Sequence, residues 1–122
     1  MYIEIDFESS EALYMQLHDQ IIYALMAREI EEGDQLPSVR SMAEQIGINM
    51  HTVNKAYAML RDEGFLKLDQ RRGAVIAVHE GTEENALELK ADLKIMTAKA
   101  LLYGISKKDI HDMIDEICSE WE

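Results

Sequence analysis

The amino-acid sequence predicts an α+β fold that is mostly α-helical, and three observations carry that prediction. Two apolar stripes at helical spacing, one ending at Gly47 and one at Gly64, are separated only by a tight turn. Two strand-like runs follow, on either side of a turn with two arginines and a glycine. After Gly81 the pattern is purely helical. This order predicts a winged helix-turn-helix at residues 1–79, followed by a two-helix hairpin at residues 80–122.

Length, cysteine content and the lack of long apolar runs together indicate what kind of protein this is. With 122 residues, the chain supports one domain, or a small domain with an appendage. Its one cysteine, Cys118, cannot form an internal disulfide. The sequence contains neither a signal-peptide pattern nor an apolar run long enough to cross a bilayer. We therefore expect a cytoplasmic protein that does not contact the membrane.

The formal net charge of −12 is distributed unevenly along the chain. Residues 1–35 hold nine acidic side chains and one basic, a net of −8, and residues 80–122 hold eleven acidic and five basic, a net of −6. Residues 36–79, with four acidic and six basic side chains, are the only positive part, at +2. Acidic flanks would repel a polyanion where contact is unwanted. The charge therefore permits nucleic-acid binding at the centre of the chain without requiring it.

Residues 1–35 predict a short extended segment and one helix. Alternating apolar and acidic side chains at residues 3–8 indicate an extended segment with one apolar face. Ser9 or Ser10 is a suitable N-cap for the helix that follows. Apolar residues at helical spacing then predict that this helix runs from about residue 11 to about residue 29.

Two short helices joined by a tight turn form the centre of the prediction. Ser38 is the expected N-cap of the shorter one, which ends at Gly47. Asn49 is the expected N-cap of the second, and Gly64 is expected just past its end, in the left-handed conformation. The second helix leaves a polar front exposed. A helix-turn-helix places such a front in the major groove of DNA.

Residues 80–122 predict two amphipathic helices whose apolar faces are too wide to cover each other. Such a surface on a short appendage is typical of a partner interface, so we expect a dimerisation hairpin. Packing of the hairpin back onto the winged domain is the alternative. The expected dimerisation residues are Leu89, Leu93, Met96, Ala100, Tyr103, Ile110, Met113, Ile114 and Ile117.

The sequence predicts no chemistry beyond binding. It has no Gly-rich phosphate loop and no nucleophile motif with a supporting base, so we do not expect an enzyme. His111, Asp115 and Cys118 share one face of the last predicted helix, but metal sites are usually richer in Cys and His. We therefore expect neither a metal nor a cofactor, and a small-molecule effector is left open.

A run of residues across the first eighty positions agrees in order and spacing with one known family. These residues are Leu36-Pro37-Ser38-Val39-Arg40, Met42-Ala43, Gly47-Ile48, Thr52-Val53, Ala56-Tyr57, Leu60 and Glu63-Gly64. On these residues the chain resembles the GntR family of bacterial transcription regulators. Four further features resemble its YtrA subgroup: Tyr14-x-Gln16, Glu32-Gly33-Asp34, the Ala56-Tyr57 pair and a tail of some forty residues.

This resemblance implies a DNA-binding transcription regulator. Family members bind a palindromic operator as homodimers through the N-terminal domain, and in the YtrA subgroup the two C-terminal helices mediate dimerisation. Because the genes regulated by that subgroup often encode membrane transporters, the leading hypothesis is a repressor of a transporter-type operon. The alternative is a winged helix that recruits a protein partner and does not bind DNA.

The expected DNA-binding residues lie at the front of the third helix, at Arg40 and at the wing tip. Arg40 aligns with a family arginine that contacts DNA, and its guanidinium can hold a phosphate or a guanine edge. By the resemblance, Arg72 and Gly73 match wing residues that enter the minor groove. The complete expected set is Ser38, Arg40, Asn49, Met50, His51, Thr52, Asn54, Lys55, Arg71, Arg72 and Gly73.

These residues differ in the contact that each is expected to make. His51 and Asn54 can bond base edges, and Met50 can pack on a thymine methyl group. Lys55 is expected at a phosphate, because its ammonium is an undirected point charge. The chain has Met50-His51 where subgroup members often have Pro-Asn, which predicts a different base preference. Its wing also lacks the second glycine of the family pattern Gly-x-Gly-Thr-Phe-Val.

Overall fold

The computed structural model describes all 122 residues and contains five α-helices and one two-stranded antiparallel sheet. In chain order the elements are α1 (Leu13–Met26), α2 (Val39–Ile46), α3 (Met50–Asp62), β1 (Leu66–Asp69), β2 (Gly73–Ile76), α4 (Glu83–Leu102) and α5 (Lys107–Ser119). The predicted fold class, a winged helix-turn-helix followed by two helices, is confirmed. The chain divides into a first unit, Met1–His79, and a second unit, Glu80–Glu122.

The first unit is built on one apolar core shared by α1, α2, α3 and the sheet. Burying an aliphatic side chain contributes about 1.5–3 kcal/mol relative to leaving it exposed, so this shared core is what holds the three helices together. The largest side chains that are fully buried are Leu17, Ile21, Met42, Val53, Leu60, Val75 and Ile76.

The helices α2 and α3 begin and end as the sequence predicts. The Ser38 Oγ accepts the N–H of Ser41 at 3.1 Å, and the Asn49 Oδ1 accepts the N–H of His51 at 2.7 Å. Each side chain satisfies one of the backbone donors that a helix start leaves free. Gly47 has φ of +73° at the end of α2, a conformation that costs a side-chain-bearing residue more than it costs glycine.

The first helix is shorter than predicted at both ends. Its N-cap is Ala12, which makes no side-chain cap bond, and the proposed cap at Ser9 or Ser10 is wrong. The Ser9 Oγ instead accepts the N–H of Glu11, so it closes a local turn before the helix. The C-terminal end comes early because Arg28 adopts φ of +62°, which stops the right-handed helix.

The N-terminal segment is held by two glutamine side chains of α1. The backbone N–H and C=O of Glu4 bond the side-chain amide of Gln20 at 2.9 and 2.7 Å. Those of Asp6 bond the amide of Gln16 at 2.9 and 3.0 Å. The segment is therefore ordered without being a strand. The predicted apolar face is wrong at Phe7, where the chain turns and the ring is exposed.

The wing, residues 66–76, is a hairpin with a three-residue turn, residues 70–72. Leu66 pairs with Ile76 at one end and Asp69 with Gly73 at the other, so Gly73 lies in β2 and not in the turn. Residues 33–36 run beside β2 with backbone hydrogen bonds of 2.8–2.9 Å to Ala74 and Ile76. From sequence, residues 32–34 are expected to end the first helix, and no local pattern indicates that residues 33–36 form this third segment.

The second unit consists of two helices that begin at strong N-caps. The Thr82 Oγ1 accepts the N–H of Asn85 and the Asn85 side chain accepts the N–H of Thr82, which is a capping box at the start of α4. The Ser106 Oγ accepts the N–H of Asp109 at the start of α5. Neither helix buries a single residue. None of the five helices combines the length and apolar character that a bilayer crossing requires.

Candidate nucleic-acid interface

The first turns of α3 present the side chains that the sequence analysis assigned to DNA contacts. Met50, His51, Asn54 and Lys55 are exposed there, and Thr52 is half-buried. The opposite face of α3 is in the core, so this helix cannot rotate to hide its polar front without exposing that face. The buried residues of α3 are Val53, Ala56, Tyr57 and Leu60.

A hydrogen bond from Tyr57 fixes the start of α2 beside α3. The Tyr57 hydroxyl donates to the carbonyl of Pro37 at 2.8 Å. Burial raises the pKa of Tyr57, so the hydroxyl keeps its proton and remains a donor. Pro37 directly precedes the Ser38 cap. This bond therefore fixes the position of the start of α2, and with it the position of Arg40, relative to α3.

Arg40 lies in the first turn of α2 with its guanidinium free. It is exposed and takes part in no ion pair or hydrogen bond within the chain. A guanidinium has five N–H donors in a fixed planar fork, a shape that matches a phosphate or a guanine edge. All of these donors are available to an external ligand.

Lys55 is held against α1 by an aromatic contact. Its Nζ lies 3.9 Å from the centre of the Tyr14 ring, within the range of a cation–π interaction. Tyr14 is half-buried and packs against the core, so the ring is a fixed support. Lys55 is expected at a phosphate from the sequence, but no local pattern indicates that Tyr14 of α1 positions its ammonium.

The wing turn is organised by the carboxylate of Asp69. Its Oδ1 accepts the backbone N–H of Arg71 at 2.8 Å and that of Arg72 at 3.0 Å. These two bonds hold the pKa of Asp69 below its ordinary value, with further help from the charges of Arg72 and Lys67. Gly73 follows with φ of +76°, and a Cβ at this position would meet open space. This left-handed conformation, which glycine adopts at little cost, directs the chain from the turn into β2.

The side chains of Arg71 and Arg72 differ in what they contact. An Nη2 N–H of Arg72 donates to the carbonyl of Gly33, on the segment beside β2. The Arg71 guanidinium takes part in no hydrogen bond or ion pair within the chain and is exposed. Of the two arginines, only Arg71 therefore has a guanidinium without a partner in the chain.

A histidine that the sequence analysis did not single out joins α1 to the end of α3. His18 is buried, and its Nδ1 lies 2.8 Å from the Asp19 Oδ1 while its Nε2 lies 2.5 Å from the Glu63 Oε1. Burial lowers the pKa of His18, but the hydrogen bonds to Asp19 and Glu63 outweigh it, so the pKa is raised. His18 and Glu63 are 45 residues apart, and no local pattern links them.

The remaining predicted residues lie in the second unit. The expected dimerisation residues are exposed, except Ala100 and Ile110, which are half-buried. No three His, Cys, Asp or Glu side chains come close enough to hold a metal ion, and this includes His111, Asp115 and Cys118.

Comparison with known proteins gives consistent matches. Residues 13–76 match the family of bacterial regulatory proteins called the gntR family. The HTH-type transcriptional repressor YtrA of Bacillus subtilis (strain 168) is 33% identical over 121 residues, which cover 97% of this chain and 93% of that protein. The solved structure of YtrA from Sulfolobus acidocaldarius, a GntR-family transcription factor, is 38% identical, with a TM-score of 0.60 and 97% of each chain covered. A transcriptional antiterminator from Listeria monocytogenes EGD-e has a TM-score of 0.87 at 25% identity, covering 97% of this chain and 90% of that one.

Proposed function

This chain belongs to the GntR family of bacterial regulatory proteins, and we propose that it is a homodimeric repressor that binds a palindromic operator. Its relatives are transcription regulators, a family without enzymatic activity. Each protomer inserts the front of α3 into a major groove and sets the wing against the neighbouring minor groove. By occupying an operator at the promoter, the protein blocks transcription.

The observation that carries this proposal is the exposed front of α3 beside the free guanidinium of Arg40. Side chains that can bond base edges, His51 and Asn54, lie on the same helix front as Met50, which can pack on a thymine methyl group. The caps at Ser38 and Asn49 fix the starts of both helices, as a reading surface requires. This front also lies in the only net-positive part of the chain.

Dimerisation is proposed through the second unit. Its two helices leave large apolar side chains exposed along their whole length and bury none. A second copy of the same surface would cover them, and a two-fold dimer would match the two halves of a palindrome. Repression is supported by the relative from Bacillus subtilis, which is a transcriptional repressor. A transporter-type operon as the target rests on the resemblance to the YtrA subgroup alone.

The experiment is fluorescence anisotropy with labelled duplex DNA from upstream of the gene that encodes this chain. We expect saturable binding that survives scrambled competitor DNA, with log affinity falling linearly in log salt. Arg40→Ala should weaken binding by about 1–3 kcal/mol without changing the oligomeric state. Arg61→Ala, which removes the same charge from the opposite end of α3, is the matched control and should have a smaller effect.

Two results would contradict the proposal. If no duplex binds even at low salt, the winged domain serves as a protein-interaction module. If Arg40→Ala and Arg61→Ala weaken binding equally, the loss reflects net charge, and Arg40 makes no specific contact.

A further inference from the structure

The two arginines of the wing turn carry the same charge but are placed differently. Arg72 donates to the carbonyl of Gly33, whereas the Arg71 guanidinium has no partner within the chain. We infer that Arg71 is the side chain that the wing inserts into DNA and that Arg72 is a positioning residue that ties the wing turn to residues 33–36. This inference rests on the proposed function, and it differs from the family resemblance, which matches Arg72 with a wing residue that enters the minor groove.

The contact made by Arg72 closes a small framework of hydrogen bonds. The N–H of Gly33 donates to the carbonyl of Ile76 at 2.9 Å, and the N–H of Ile76 donates to the carbonyl of Asp34 at 2.8 Å. Arg72 adds a side-chain bond from the turn itself to the same segment. The wing is therefore joined to residues 33–34 at two places, by the backbone of β2 and by the Arg72 side chain of the turn.

The charges around the turn also support different roles for Arg71 and Arg72. The charge of Arg72 helps to hold the pKa of Asp69 below its ordinary value, whereas the contribution of Arg71 comes from its backbone N–H. The positive charge of Arg71 is thus the less compensated of the two. A narrow minor groove concentrates negative potential and attracts an arginine that is free to enter it.

The test compares Arg71→Ala with Arg72→Ala, which remove the same charge from adjacent positions and so control for long-range attraction. Affinity is measured against salt with the labelled upstream duplex. Arg71→Ala should weaken binding roughly tenfold and reduce the slope of log affinity against log salt by about 1. Arg72→Ala should leave that slope unchanged. Arg71→Lys should keep the wild-type slope, because it keeps the charge.

A second measurement on the free protein isolates the positioning role. Arg72→Ala should speed hydrogen exchange at the amides of Gly33 and Ile76, and Arg72→Lys, which keeps a donor, should partly restore their protection. Arg71→Ala should leave both amides unchanged. A purely electrostatic role for Arg72 would not alter exchange in the absence of DNA.

Each other outcome counts against the inference. A reduced slope in Arg72→Ala means that Arg72 itself meets DNA, and an unchanged slope in Arg71→Ala means that Arg71 does not. Unchanged amide exchange in Arg72→Ala removes its positioning role. If the wild-type chain binds no duplex, the proposed function fails as well, and that result is separate from any difference between the two variants.

Discussion

At the scale of single residues, His18 carries more of the structure than its sequence context suggests. It is a buried imidazole between two carboxylates, and one of them, Glu63, is the C-cap residue of α3. The backbone carbonyl of the same Glu63 lies 3.0 Å from the Nε2 of His79. Glu63 therefore joins α1, the end of α3 and the last residue of the first unit.

The raised pKa of His18 predicts that the first unit loses stability as the pH rises. A histidine whose pKa is raised by folding stabilises the folded state fully below its unfolded pKa of about 6.5, and that contribution is lost as the pH rises through the folded pKa. His18→Gln should remove this dependence and cost about 1.5–3 kcal/mol at low pH, the usual value of hydrogen bonds to charged groups. Urea unfolding at pH values from 5.5 to about 8.5 measures both effects.

The control for this prediction is His111→Gln, which changes an exposed histidine on α5. It should leave the pH dependence of unfolding as it is in the wild-type chain. A wild-type stability that is flat above the ordinary histidine pKa, or a His18→Gln variant with the wild-type slope, would show that His18 is not charged in the folded protein.

At the scale of elements, the caps and breaks of α2 and α3 could be predicted because they depend on residues close together in the sequence. Ser38, Asn49, Gly47 and Gly64 act on backbone groups within a few positions of themselves. The third segment beside β2 could not be predicted, because it depends on pairing between residues 33–36 and residues some forty positions later. A helix-breaking sequence and a strand edge look alike until the partner strand is known.

The candidate site divides in the same way. The exposed front of α3 follows from helical spacing, and the structure has it where the sequence predicts. The contact of Lys55 with Tyr14 and that of Arg72 with Gly33 join residues about forty apart, so no local pattern indicates them. A side chain that the sequence assigns to a ligand can therefore already contact a distant residue of the same chain.

The end of α3 offers a prediction that separates backbone strain from side-chain contact. Gly64 and Gly47 both have positive φ, so an alanine at either should cost about 1–2 kcal/mol. A Cβ at Gly47 meets open space, whereas one at Gly64 would overlap the imidazole of His79 and displace it from the Glu63 carbonyl. Gly64→Ala should therefore cost roughly 1 kcal/mol more than Gly47→Ala in urea unfolding, the value of a lost hydrogen bond. Equal costs would mean that His79 makes no net contribution there.

At the scale of the whole molecule, the two units differ in how they use their apolar residues. The first unit buries them in one core, and the second leaves side chains such as Leu93, Met96 and Ile117 close to half exposed. Apolar surface on this scale in so short a chain is typical of an interface. The sequence pattern alone indicated this surface, because the helical stripes of α4 are wider than α5 can cover.

Leu93→Glu should break the proposed dimer, because it would place a carboxylate in an apolar interface, where an unpaired charge costs several kcal/mol. Light scattering should give twice the mass of one chain for the wild type and the mass of a single chain for the variant. Lys94→Glu, at the next position of α4, is the control and should remain dimeric. A wild-type chain that stays monomeric at every concentration would contradict dimerisation through the second unit.

The most direct test of sequence-specific, two-fold recognition is selection of bound duplexes from a random-sequence pool, followed by sequencing. A homodimer that reads one half-site with each α3 should enrich an inverted repeat whose half-site centres lie about 10–10.5 base pairs, or a multiple of that spacing, apart. Arg40→Ala carried through the same selection should enrich the repeat more weakly. A pool that stays random while the wild-type protein is folded would contradict sequence-specific DNA binding, and enrichment of a single asymmetric site would contradict recognition by a two-fold dimer.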